Sequence, residues 1–206
     1  MTVPVTIAVV SWNTRDLLDA CLASFRADAE AGLVEVWVHD NASEDGSVAM
    51  VVANHPWVNL IKGTENLGFG PAVNRIADRT ESDWIAPANA DIETTPGAIE
   101  KLLAAGDADP QAGLIASRLV LPDGSTQESL GAFQTLSRAV AVFLHLGRFS
   151  SRMRVRIDPY LDQETPRRIE WAAGAFLLVR REAFDTAGGF QESQWMYAED
   201  LDLCWG

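Results

Sequence analysis

Apolar and polar positions along this chain follow two alternating rhythms. Val5 to Val10 is an unbroken apolar and β-branched run, which predicts a buried strand. From Asp16 to Phe25 the apolar residues Leu17, Leu18, Cys21, Leu22 and Phe25 return at helical spacing, with Thr14 placed to cap. The pairing then repeats. A strand at Leu33–Val38 precedes a short helix at Ser47–Ala53, with the Asp45-Gly46 turn between them and Ser47 placed as its cap. A strand at Val58–Ile61 precedes a helix at Pro71–Arg79, with Pro71 in its first turn. A strand at Trp84–Ala88 precedes a helix at Thr95–Ala105, with Pro96 at its start and Thr94 or Thr95 as cap. Such alternation predicts an α/β fold, a mostly parallel central sheet with helices on both faces.

After Pro110 the rhythm changes. Ala112–Leu121 reads as a longer strand, Pro122-Asp123-Gly124-Ser125 as a turn, and Leu136–Leu146 as an apolar helix. Arg148, Arg152, Arg154, Arg156, Arg167 and Arg168 crowd the next stretch. It reads either as a site for an anionic acceptor or lipid phosphate, or as a solvated loop carrying counter-charge. Strands at Ile169–Ala173 and Phe176–Val179 follow, then a helix at Arg181–Ala187. Ala198–Trp205 opens as a helix with acids in its first turn, and Gly206 ends it, so a C-terminally truncated chain is expected.

Composition narrows the possibilities. The chain has 206 residues, 48% hydrophobic, which fits one domain with a substantial core. Its 16 Lys and Arg against 29 Asp and Glu give a formal charge of -13. A field of that sign repels nucleic acid, and it suits an anionic membrane only where a local basic patch compensates. Cys21 and Cys204 make no disulfide framework. No signal peptide is read at Met1-Thr2-Val3-Pro4, and no apolar run is long enough to span a bilayer. The expectation is a cytoplasmic protein with no transmembrane segment.

Polar clusters stand where strands end, which is where an open α/β sheet holds its ligands. Asp40-Asn41-Ala42-Ser43 follows the second strand. A carboxylate there can accept the imide N–H of uracil or thymine, a donor cytosine lacks; the alternative is an Asx-type turn. Asn66-Leu67-Gly68-Phe69-Gly70 joins the third strand to its helix, and its glycines permit close approach of a ligand or simply a turn. Asn89-Ala90-Asp91 follows the fourth strand. Mg²⁺ or Mn²⁺ takes one or two protein carboxylates plus ligand phosphates, so this pair can face a cation; the alternative is a helix entry with Asp91 solvated. Glu199-Asp200 follows Trp195-Met196-Tyr197, and a carboxylate in a partly apolar pocket can act as a general base; the alternative is acids favouring a helix N-terminus. His39, His55 and His145 have no ligand spacing, and no G-x-G-x-x-G follows the first strand, which disfavours a dinucleotide-binding oxidoreductase.

Taken in order, Val9-Val10-Ser11-Trp12-Asn13, Asp40-Asn41-Ala42-Ser43, Asn66-Leu67-Gly68-Phe69-Gly70, Asn89-Ala90-Asp91, the segment from Gly174 to Arg181, Gly188-Gly189-Phe190 and the segment from Glu199 to Cys204 resemble the family 2 glycosyltransferases, the rhamnosyltransferase-like members most closely. The resemblance implies one GT-A domain over residues 1–206, with a nucleotide half to about residue 93 and an acceptor half from about residue 94. It implies a dTDP- or UDP-sugar donor, a Mg²⁺ or Mn²⁺ cofactor, inversion at the anomeric carbon, and a glycan or lipid-linked acceptor in cell-envelope or polysaccharide synthesis. Peripheral contact with the inner face of the membrane is compatible with it. By the same resemblance Ser11, Trp12, Asn13, Asp40, Asn41, Asn66, Gly68, Phe69 and Asn74 line the nucleotide site. Asp91 is the metal ligand with Asn89 beside it. Gly174, Ala175, Trp195 and Tyr197 border the sugar and acceptor, Asp200 is the base and Glu199 its neighbour. Asn89 replaces the family's more usual Asp, which removes one charge from the metal motif. The alternative function is a nucleotide-sugar-binding module without turnover.

Overall fold

The computed structural model describes residues 3–133, 135–145, 166–193 and 198–205. Its elements in chain order are β1 (Val5–Ser11), α1 (Arg15–Ser24), α2 (Arg26–Glu30), β2 (Val34–Asp40), α3 (Ser47–Asn54), β3 (Asn59–Lys62), α4 (Phe69–Ala77), β4 (Trp84–Asn89), α5 (Ala98–Ala108), β5 (Leu114–Ala116), β6 (Leu130–Gly131), α6 (Leu136–Phe143), β7 (Trp171–Ala172), β8 (Leu177–Arg180), α7 (Arg181–Ala187) and α8 (Glu199–Trp205). They fall into two compact units, one of Met1–Ser117 with Gly174–Cys204, the other of Arg118–Ala173 with Trp205.

The first unit holds a six-stranded sheet in the order β3-β2-β1-β4-β8-β5. The four predicted apolar runs form β1 to β4, all parallel, and β1 is paired on both sides. Val5, Ile7 and Val9 of β1 are completely buried, as are Leu18, Cys21, Leu22 and Phe25 in and just after α1. β8 runs antiparallel to both of its neighbours. Its amino end therefore lies at the same edge as the carboxyl ends of β1 to β4.

Several local expectations are corrected. Thr14 makes no side-chain cap, and its hydroxyl instead meets that of Ser11 at 3.0 Å. Ser47 is the first residue of α3 rather than its cap; Asp45 Oδ1 accepts both its N–H at 3.0 Å and its hydroxyl at 2.6 Å. α5 begins at Ala98, after Gly97 in the left-handed region (φ 76°), which leaves Pro96 outside the helix. Thr94 is held away from that helix by Ser24, whose Oγ accepts the Thr94 N–H at 3.0 Å. The long strand expected over 112–121 is cut to β5, because the chain then turns back on itself and Val120 pairs with Thr126.

Two close approaches fix helices in this unit, α4 against the turn after α7 and α5 against β4. A Cβ on Gly70 would lie 2.7 Å from that of Phe190, and one on Gly106 would lie 2.6 Å from the Trp84 ring. The Arg180 guanidinium lies 4.2 Å from the centroid of that ring. Gly106→Val is therefore expected to destabilise the fold by roughly 1–3 kcal/mol through overpacking, read as a lower urea midpoint with unchanged slope. Arg181, at the start of α7, donates to the carbonyl oxygens of Ala77 (3.1 Å) and Thr80 (2.7 Å) and to the Thr80 hydroxyl (2.8 Å).

In the second unit β6 and β7 pair antiparallel. Gly131 sits against Trp171, where a Cβ would approach the indole to 2.7 Å. The Phe133 N–H donates to Glu170 Oε2 at 2.7 Å, and the Phe133 and Trp205 rings meet edge to face. Among the described residues no helix is long and apolar enough to cross a membrane.

Candidate functional site

Parallel pairing aligns the ends of β1, β2 and β3, with Ser11 opposite Asp40 and Asp40 opposite Lys62; across β1, Val10 stands opposite Asn89 of β4. The polar clusters that follow the strands thus share one edge of the sheet. The loops after β1 and β2 are joined by three bonds. The Asn13 N–H donates to Ser43 Oγ (2.9 Å), the Glu44 N–H to Asn13 Oδ1 (2.8 Å), and the Arg15 N–H to Asp45 Oδ2 (2.8 Å). Asn13 adopts the left-handed region (φ 54°), where Asn is among the side chains best tolerated. Between these loops Trp12 is 51% exposed, unusual for a side chain of its size.

Asp40 is 2% exposed. Its Oδ2 accepts the Ser43 N–H at 2.9 Å, while its Oδ1 is buried with no hydrogen-bond partner. Asn41, equally buried, donates from Nδ2 to the Gly68 carbonyl at 3.0 Å. An unsatisfied buried acceptor is costly, and the Asp40 Oδ1 suits a donor brought by a ligand. The backbone is crowded here as well: a Cβ on Gly63 would lie 2.6 Å from the Asp40 carbonyl oxygen. Behind this pair His39 is buried, and burial pushes its imidazole below the ordinary histidine range.

The Asn66 side chain shapes the next loop, with Oδ1 accepting the Gly68 N–H at 2.9 Å. Gly68 has φ 86°, a conformation that glycine adopts freely, and it precedes α4. Phe69 packs edge to face on Phe190 at 5.8 Å. Asn74 lies elsewhere. Its Nδ2 donates to the Phe190 carbonyl (2.8 Å) and its Oδ1 accepts the Phe190 N–H (2.9 Å), so both ends of the amide join α4 to the turn after α7.

At the end of β4 the Asn89 N–H donates to the Ala175 carbonyl at 3.0 Å. Asn89 and Asp91 flank the buried Ala90, and Asp91 is exposed. Beneath them Cys21 directs its thiol toward the Asn89 carbonyl oxygen at 3.8 Å. Burial first, then the charges of Asp91 and Glu93, push that thiol up to about 12, so it stays protonated and unreactive. The Gly174 N–H donates to Asp200 Oδ2 at 2.9 Å, and the Leu201 N–H donates to Asp200 Oδ1 at 2.8 Å. A Cβ on Gly174 would come within 3.3 Å of that of Asp200 and 3.7 Å of the Phe69 ring. The adjacent residues Gly174 and Ala175 thus bond Asp200 and Asn89 respectively. Trp195 and Tyr197, expected at the acceptor pocket, lie outside the described residues.

Glu199 is the electrostatic outlier of this group. Its Oε2 is buried without a partner, and burial, then the Asp200 charge, holds its carboxyl above the ordinary glutamate range. The folded state therefore keeps this proton more tightly than the unfolded chain, and stability falls as pH rises through that range. Glu199→Gln is expected to raise the melting temperature at neutral pH. It should leave it unchanged in acid, where the carboxyl is protonated in both states.

Among the described residues no three His, Cys, Asp or Glu side chains cluster as a metal site. The arrangement still meets the smaller demand of Mg²⁺ or Mn²⁺ for one or two protein oxygens completed by a ligand's phosphates, and Asp91 is exposed to supply one.

A parallel sheet with one reversed strand and a polar carboxyl edge defines a GT-A glycosyltransferase fold. The solved structures agree. A mannosyltransferase from Pyrobaculum calidifontis, in complex with GDP-Man and Mn²⁺, superposes with a TM-score of 0.64 at 20% identity over 97% of this chain. S. aureus TarS in complex with UDP superposes with a TM-score of 0.61 at 13% identity over 98% of it. The chain spans about half the length of each, 50% and 54%. Residues 6–188 match the family described as glycosyl transferase family 2. An N-acetylglucosaminyl-diphospho-decaprenol L-rhamnosyltransferase of Mycobacterium tuberculosis is 35% identical over 221 aligned residues, covering 98% of this chain and 70% of that protein. Rhamnosyltransferase WbbL of Escherichia coli K12 is 47% identical over 36 residues, 18% of this chain and 14% of its own. The chain belongs to glycosyl transferase family 2 and is a rhamnosyltransferase-like glycosyltransferase.

Proposed function

We propose that this chain carries the donor site and base of an inverting, metal-dependent transferase. It would move a sugar, rhamnosyl by its relatives' names, from a dTDP- or UDP-linked donor to a hydroxyl of a lipid-linked glycan in cell-envelope synthesis. The observation that carries the reading is the buried, unpartnered Oδ1 of Asp40 at the carboxyl end of β2. The imide N–H of uracil or thymine supplies the missing donor. Trp12, exposed beside it, offers a face for the base, and Ser11, Asn13, Asn41, Asn66, Gly68 and Phe69 complete the nucleotide half that ends near residue 93. Asn74 contributes at one remove, by holding the turn that carries Phe190.

Asp91, with Asn89, would hold Mg²⁺ or Mn²⁺ against the diphosphate. When bound, the cation offsets the charge that develops on the leaving nucleoside diphosphate. Asp200 takes the proton of the acceptor hydroxyl as that oxygen attacks the anomeric carbon from the face opposite the diphosphate. One displacement inverts the centre, and no side chain need form a covalent bond to the sugar. Gly174 and Ala175 border the sugar, and the missing Cβ of Gly174 lets Asp200 and Phe69 pack close there. A binding module without turnover is the second reading, favoured by Asn89 in place of a carboxylate.

Calorimetric titration with UDP and dTDP, with and without Mn²⁺, tests the donor site. Metal-dependent binding is expected for at least one nucleotide, and Asp91→Ala is expected to abolish the metal dependence. A folded chain that binds neither nucleotide would overturn the reading. Binding without transfer to any lipid-linked acceptor would favour the module.

A further inference from the structure

Gly188, Gly189 and Phe190 form the turn after α7, and the first unit grips that turn firmly. The Gly189 N–H donates to the Phe184 carbonyl at 2.9 Å. The Asn74 amide takes both the N–H and the carbonyl of Phe190, at 2.9 and 2.8 Å. A Cβ on Gly189 would lie 2.7 Å from Asn74 Oδ1, so a residue without one is needed for this approach. The Phe190 ring is buried, edge to face with Phe184 at 6.0 Å and with Phe69 at 5.8 Å. A side chain held by its backbone and by two rings has little room to shift, and close-packed groups of this kind pass a displacement on to their neighbours.

Phe69 is the neighbour that matters. Its ring meets Phe190 on one side and Gly174 on another. A Cβ on Gly174 would lie 3.7 Å from Phe69 Cε1 and 3.3 Å from the Asp200 Cβ, so the Gly174 backbone is enclosed between that ring and Asp200. Gly174 precedes β8 and has no side chain of its own to anchor it. Its N–H is nevertheless one of the two donors that orient the Asp200 carboxylate, at 2.9 Å from Oδ2. We infer that Phe190 is a positioning residue for Asp200: pinned by Asn74, it backs the Phe69 ring against Gly174 and so fixes the N–H that orients the base. The inference rests on Asp200 as the base of the proposed reaction. A smaller side chain at 190 leaves a gap into which the Phe69 ring retreats. Gly174 then loses its backing, and the carboxylate turns away from the line of the acceptor hydroxyl. Small misplacements of a reacting group cost rate out of proportion to the distance moved.

The test is backbone amide NMR and hydrogen exchange on the full chain, comparing the parent with Phe190→Leu and Asn74→Ala. The first opens the gap behind Phe69; the second keeps the ring and removes both bonds that hold it. Asp200→Ala sets the reference signature of a Gly174 amide without its carboxylate. Each variant is expected to move the Gly174 amide resonance toward that reference and to speed its exchange by about tenfold. The Ser43 amide, which donates to Asp40 Oδ2, is the internal control and is expected to exchange within about twofold of the parent rate. In kinetics, Phe190→Leu is expected to lower kcat by about tenfold while the Kd for UDP or dTDP stays within about threefold. A Gly174 amide unchanged in a folded variant overturns the inference. So does equal acceleration at Gly174 and Ser43, or failure of both variants to fold, since either makes Phe190 a core residue alone. Equal loss of kcat and of nucleotide affinity overturns it too, by placing Phe190 with the donor site. The amide readout needs neither nucleotide nor turnover, so a parent chain that transfers no sugar would count against the proposed function and leave this test decisive.

Discussion

Replacing Asp200 by Asn is expected to lower sugar transfer by about 10²- to 10⁴-fold while leaving the donor Kd within about threefold of the parent value. The reasoning starts from the two backbone donors on this carboxylate. The Gly174 N–H meets Oδ2 and the Leu201 N–H meets Oδ1, which fixes the plane of the group. A carboxylate has about four lone-pair sites, so two stay open for an acceptor hydroxyl. Asn presents one oxygen and an NH₂, and an NH₂ neither takes a proton nor accepts a backbone N–H. Proton removal is therefore lost, along with one of the two orienting bonds. Asp200 lies beside Gly174 and Leu201, whereas the proposed base-reading oxygen belongs to Asp40 on β2. Transfer and donor binding should accordingly separate in steady-state kinetics and titration. Equal loss of both in Asp200→Asn would sink the division of labour. Retained transfer in Asp200→Asn, with loss in Glu199→Gln, would move the base to Glu199.

The second large effect belongs to Asp40. Asp40→Asn is expected to weaken binding of UDP or dTDP by about 10- to 100-fold, the cost of removing a charged acceptor from a buried hydrogen bond. The substitution keeps the size of the side chain. Its amide oxygen can still accept the Ser43 N–H, so the loop that Asp45 and Asn13 brace should stay in place. What changes is the group facing the ligand, from an acceptor to an NH₂ donor. Discrimination between UDP and CDP should narrow, because cytosine lacks the imide proton that Asp40 is proposed to read. Titration of both nucleotides against both proteins measures that ratio. An unchanged ratio would remove Asp40 from base recognition.

Much of this architecture is legible in the pattern of apolar positions, for identifiable reasons. β1 and β4 are almost fully buried strands, and burial on two faces writes itself as a near-continuous apolar run. Arg181–Ala187 forms a helix over the range its pattern predicts. Strand direction leaves no such mark. β8 reads as an apolar run like the others, and only its pairing shows that it is reversed. Caps differ from expectation where they depend on a partner elsewhere: Thr94 bonds Ser24, and Asp45 accepts the Ser47 N–H. The site shows the same limit. Asp40, Asn89, Gly174 and Asp200 stand out as residue types at strand ends, yet their grouping depends on contacts between distant segments. Asn74 is the sharpest case, since its two bonds to Phe190 cross 116 positions of sequence.

The reversed strand has a consequence for the order of folding. β1 to β4 follow one another through short helical crossovers, so their edge can close through nearby segments. Asn89 acquires Ala175 only when a distant strand returns to lie between β4 and β5. Long closures are slow because chain entropy must be overcome before any contact forms. The turn that holds the carboxylate proposed to read the base thus matures early in the life of the chain, and the link between Asn89 and the segment that holds Asp200 matures late.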